Sequence, residues 1–138
     1  MRFVSRTTRS LLEQSREQSQ RRRAAAGSIG KAYPRVEQIR VELRFGASAN
    51  SAPAAQRHAL YPSAPAYFEF ACPLGDCDGS FDLNDVASPL LMKSGPQSHG
   101  TIQCSGTRAG GGMTRQPCGL RADYWITVQY RASLGRAG

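Results

Sequence analysis

No stretch of this chain approaches the ~18 consecutive apolar residues of a membrane-spanning helix, so no helical span is expected. The opening "MRFVSRTTRSLLEQSREQSQRRR" is polar after Val4 and lacks the roughly 7–15-residue apolar centre of a secretory signal. Its Arg- and Ser-rich character is shared with mitochondrial presequences, against which Glu13 and Glu17 count. A cytoplasmic location is the expectation. In that reducing compartment cysteines bind metal or act chemically more often than they form disulfides.

Catalytic signatures are missing as well. Neither the His-Glu-x-x-His of zinc proteases nor the His-x-Glu with Pro-Cys-x-x-Cys of zinc deaminases occurs, and there is no Cys-x-x-Cys for disulfide exchange. Gly27, Gly30 and Lys31 imitate a phosphate loop, but the glycines stand too close together and Ala32 follows where Ser or Thr is needed. Asp76, Asp78, Asp82 and Asp85 lack the terminal Glu of a calcium loop and read as a solvated acidic face. A non-enzymatic protein is expected.

Lysine is scarce too: only Lys31 and Lys93 interrupt an otherwise all-arginine set of 18 basic residues. What the chain does have is a net charge of +8, unevenly placed. Residues 1–44 hold 11 basic and 4 acidic residues, residues 45–100 hold 2 and 5, and residues 101–138 hold 5 and 1. Segment charges of +7, −3 and +4 leave both ends suited to an anionic partner such as nucleic acid. At 138 residues the chain is long enough for one domain with a modest core.

Hydrophobic periodicity marks the elements. Residues 8–26 read as a polar helix, with Ser10 and Glu13 as a capping box and Glu17 to Arg21 as a favourable pair one turn apart. The glycines of "AAAGSIGKAYP" stop it and start a linker that Pro34 closes. Ile39, Val41, Leu43 and Phe45 alternate with polar residues over residues 38–45, which predicts a half-buried antiparallel strand. Residues 46–66, rich in Ala, Ser and Pro, read as an extended loop. Further strands are expected over residues 67–72, 100–104 and 123–131, the last with Tyr124, Ile126, Val128 and Tyr130 on one face and Trp125 on the other. After a possible short strand, a helix capped at Asn84 or Asp85 is expected to be cut short by Pro89.

The sharpest signal is the set of four cysteines. Four residues separate Cys72 from Cys77, twenty-six separate Cys77 from Cys104, and thirteen separate Cys104 from Cys118. The first interval suits a structural zinc site and the last is long for one. Gly79, Gly106 and Gly119 follow the cysteines closely: a thiolate-binding turn curls so that N–H groups point at sulfur, glycine reaches the positive φ values this curl often requires, and Pro73 and Pro117 stiffen the turns. "CPLGDCDG" resembles a stretched form of the Cys-Pro-x-Cys-Gly turn of zinc-ribbon proteins, and the likeness extends over residues 66–132. That resemblance implies two hairpin knuckles that each offer two cysteines to one structural Zn²⁺. The chain departs from the pattern in its longer first knuckle and in the insertion "TRAGGGMTRQ" that opens the second. His99 in place of Cys118, two disulfides, four separate core thiols and an iron–sulfur cluster are the alternatives.

The expectation is therefore an α+β protein. A basic N-terminal helix and linker (residues 1–34) precede a zinc-ribbon-like β domain (residues 35–132) and a disordered tail (residues 133–138). Cys72, Cys77, Cys104 and Cys118 are the expected zinc ligands, with Arg108, Arg115 and Arg121 near enough in sequence to offset their charge. Arg16, Arg21, Arg22, Arg23, Arg108, Arg115 and Trp125 are the candidates for binding nucleic acid or a nucleoprotein machine. A protein-interaction role for the long loop and the acidic middle is the competing expectation.

Overall fold

The computed structural model describes residues 2–46, 54–74, 77–109 and 115–132. Its centre is a four-stranded antiparallel sheet in the order β2-β1-β8-β5, formed by β1 (Val36–Phe45), β2 (Ala55–Leu60), β5 (Gln97–Gln103) and β8 (Arg121–Tyr130). Two small hairpins stand apart from it: β3 (Glu69–Ala71) with β4 (Ser80–Asp82), and β6 (Thr107–Ala109) with β7 (Arg115–Pro117).

The two long strands form as their alternation predicts. Ile39, Val41 and Leu43 of β1 lie opposite Val128, Ile126 and Tyr124 of β8, so the buried side chains of both strands share one face. A bulge between Val36 and Gln38 inserts one extra residue, and this shift brings Val36 into the core although its sequence parity is that of the polar face. Phe68, Phe81, Leu83 and Leu91 complete the core from the β3–β4 region and from α3 (Asn84–Met92).

Four expectations need correction. The stretch read as a loop holds β2, which pairs with β1 from Ile39↔Leu60 to Arg44↔Ala55. Its short Ala-rich side chains carry little β preference of their own, and the open main-chain edge of β1 supplies the pairing. The linker holds the short helix α2 (Ile29–Ala32), capped by the Ser28 side chain, with Ile29 fully buried. Pro89 does not stop α3, which continues to Met92. Asn84 does not cap α3 either, because its Oδ1 accepts the Phe68 N–H at 2.8 Å.

Helix α1 (Arg2–Ala25) runs straight through Ser10, so no cap forms there, and it ends just before Gly27 at φ 76°. Its C-terminal half docks on β3 through polar contacts. Ser19 donates to Glu69 Oε1 at 2.9 Å, Arg23 donates to the Glu69 carbonyl at 2.9 Å, and the Arg23 guanidinium lies over the Tyr67 ring. Among the described residues no helix is long and apolar enough to cross a membrane.

Candidate metal centre

The sulfurs of Cys72, Cys77, Cys104 and Cys118 all lie within 4.8 Å of one another. Cys77 and Cys104 approach to 3.4 Å, and Cys72 and Cys118 to 3.9 Å. A tetrahedral Zn²⁺ with bonds of about 2.3 Å places its sulfurs roughly 3.8 Å apart, so the cluster has the dimensions of an S₄ zinc site.

Each sulfur also faces a backbone N–H two residues further along the chain. Gly79 donates to Cys77 at 3.3 Å and Gly106 to Cys104 at 3.4 Å, while the Leu74 and Leu120 amides hydrogen-bond Cys72 and Cys118. The backbone repeats the pattern. The Cys72 N–H donates to the Gly79 carbonyl, as the Cys118 N–H does to that of Gly106; the Cys77 N–H donates to Leu74, as the Cys104 N–H does to Leu120. The two halves are thus the same knuckle with opposite connections. In the first, the chain turns between Leu74 and Cys77 and leaves through β3 and β4. In the second, it leaves through β5 and β8 and turns through the β6–β7 hairpin. This explains the long interval between Cys104 and Cys118, because the insertion supplies a stem that the first knuckle has in β3–β4.

The knuckles meet backbone to backbone. A Cβ on Gly79 would lie 2.2 Å from the Gly106 nitrogen, and one on Gly106 would lie 2.3 Å from the Gly79 Cα. Neither glycine has positive φ; of the three glycines expected to need it, only Gly119 does, at 68°. Asp78 clasps the second knuckle by accepting the Thr107 N–H at 2.7 Å, and Thr107 in turn accepts the Asp78 N–H.

The electrostatics call for a cation. Burial pushes the Cys72 thiol up to about 12 and raises Cys104 as well. For Cys118 burial acts in the same direction, but the Leu120 N–H and the three neighbouring thiols outweigh it and hold its pKa below the ordinary value. Three thiols can solvate one thiolate; full ionisation of the set requires a positive charge at its centre.

The other nominated residues scatter. Arg16 and Arg23 line a groove of about 380 Å³ beside Cys72 and Cys77, so α1, distant in sequence, brings positive charge beside the sulfurs. Arg21 and Arg22 are exposed on α1, and Arg22 hydrogen-bonds Tyr67. Arg108 pairs through its backbone with Cys77, and Arg115 lies on β7. Arg121 and Trp125 are exposed on the outer face of β8, with Arg44 stacked 4.9 Å from the Trp125 ring. His99 sits opposite Trp125 on that face, outside the sulfur cluster. Asp82 accepts hydrogen bonds from Asn84, and Asp76 lies outside the described residues.

Gly79 and Gly106 stand where turns that aim N–H groups at sulfur are expected, whereas the matching amides of Leu74 and Leu120 carry no such expectation, although a signal is present. The residue two places after each cysteine reads Leu, Gly, Gly, Leu. Compared with known proteins, the chain matches no family model, no curated protein and no solved structure.

Proposed function

We propose that this is a non-enzymatic module in which one structural Zn²⁺, held by Cys72, Cys77, Cys104 and Cys118 in a zinc-ribbon-like arrangement, ties two knuckles together, and that its basic surfaces bind nucleic acid. The observation that carries the zinc reading is the cluster of four sulfurs, each with its own backbone N–H donor. Four thiolates fill a tetrahedral shell and leave no position for a substrate, which supports a structural rather than a catalytic ion. The net charge of +8 and the exposed Arg16, Arg21 and Arg22 support an anionic polymer as partner.

Native mass spectrometry tests the zinc. One bound ion that leaves on acid denaturation, with all four thiols then open to alkylation, is the expected result. Absence of metal together with two unreactive cysteine pairs would mean disulfides and would overturn the reading. Binding of labelled oligonucleotides that weakens steeply with rising salt is expected; no binding at low salt would remove nucleic acid as the partner.

A further inference from the structure

The four-stranded sheet has one face in the core and the other open. Along β8 the buried Ala122, Tyr124, Ile126 and Val128 alternate with Asp123, Trp125, Thr127 and Gln129, all exposed. Trp125 stands near the middle of that outer face, between Glu42 of β1 and His99 of β5. It keeps 38% of its surface in solvent, and Tyr61, at the edge of the sheet beyond β2, keeps 53%. Tyr61 is held in place by the Gln38 side chain, which donates to its Oη at 3.1 Å.

Between these aromatics lies a shallow concavity of about 620 Å³, lined among others by Arg40, Arg57 and Thr127. The charge on the face is positive. Arg40, Arg44, Arg57 and Arg121 project from it against Glu42 and Asp123. Glu42 is shared by Arg44 at 2.8 Å and Arg57 at 3.6 Å, and Asp123 accepts the Thr101 hydroxyl. Arg40 and Arg121 have no ion pair among the described residues.

Exposed rings with guanidinium groups between them, of which Arg40 has no ion pair among the described residues, match a polymer that alternates flat bases with phosphates. Bases inside a duplex offer no free face for stacking, whereas those of a single strand do. We propose that this outer face, with Trp125 and Tyr61 as stacking platforms and Arg40 and Arg57 as phosphate contacts, binds single-stranded nucleic acid. The inference rests on the nucleic-acid reading above and assigns it a surface and a strand state.

Trp125 is the sole tryptophan, so its fluorescence reports directly on stacking. The zinc-loaded protein is titrated with oligo(dT), oligo(U) and inorganic polyphosphate, the last carrying charge without bases. Saturable quenching by the oligonucleotides but not by polyphosphate is expected. Trp125→Leu should weaken binding about 5- to 100-fold in anisotropy, and Arg40→Ser should flatten the salt dependence by about 0.7 in log–log slope. Zinc content and circular dichroism confirm that each variant is folded. If oligonucleotides bind and Arg16→Ser with Arg21→Ser weakens them, while Trp125 is not quenched and Trp125→Leu binds like the parent, the sheet-face assignment falls and the nucleic-acid reading stands. If no oligonucleotide binds at low salt, both fall.

Discussion

The two cysteine knuckles differ in nearly every feature visible along the chain, and they are the same object in space. One closes over four residues and carries Cys-Pro; the other spans thirteen and begins with Cys-Ser. Yet each places a leucine amide on one sulfur and a glycine amide on the other, with the same two backbone hydrogen bonds between its limbs. A metal samples only the positions of sulfurs and the dipoles around them. It is indifferent to which end of a knuckle the chain enters, so spacing is a weaker constraint than local geometry.

The strongest way to break this equivalence is to remove one ligand from each knuckle. Cys77→Ser and Cys118→Ser should both abolish cooperative folding, since structural zinc contributes about 10–16 kcal/mol in small domains and total stabilities are about 5–15 kcal/mol. Zinc stoichiometry and thermal unfolding read the result. A Cys118→Ser protein that kept its metal and its transition would remove Cys118 from the site and leave Cys104 as the second knuckle's one ligand.

Next in size is the seam between the knuckles. Gly79→Ala and Gly106→Ala each drive a methyl into backbone at less than 2.5 Å, and both should cost about 3 kcal/mol. Equal losses in chemical denaturation are expected from a symmetric seam, and a large inequality would show that one knuckle yields to the other. Gly119→Ala meets no atom within 4 Å and should cost only about 1 kcal/mol, through its positive φ alone.

The smallest effect separates the knuckles, because the docked helix hydrogen-bonds Glu69 of β3, the strand that leads into the first. Burial raises the Glu69 pKa, but hydrogen bonds from Ser80, Tyr67 and Ser19 outweigh it and hold the carboxylate below its usual value of 4.5. A depressed folded-state pKa stabilises above the unfolded value and loses that contribution as pH falls through the folded one. The docking of α1 should therefore be complete near neutral pH and weaken below about pH 4.5. Glu69→Gln should flatten that dependence, read by proteolysis of α1 across the pH range.

Alternation was legible in β1 and β8 because each strand has one face in the core and one in solvent, and hydrophobicity records that difference residue by residue. It failed at β2, whose alanines record little, and at Val36, which a bulge moved across the sheet. Pro89 and Asn84 misled for a related reason. A proline's missing N–H is tolerable in an exposed turn, and an asparagine's best partner was sixteen residues away rather than next door. The four cysteines could be named from the chain. Their common N–H pattern could not be read from spacing, though the Leu, Gly, Gly, Leu series records it.

By itself, then, the sequence determined the two central strands, the polar helix, the breaker at Gly27 and the thiols available for a metal. These depend on local propensity and on a periodicity that a short window contains. The approach of Gly79 to Gly106, the closing of the four sulfurs, the docking of α1 on Glu69 and the placement of Tyr61 and Arg57 around one concavity with Trp125 were decided only in three dimensions. Each joins segments that no window spans, and at the seam of the knuckles the contact is made by main-chain groups that every residue carries alike.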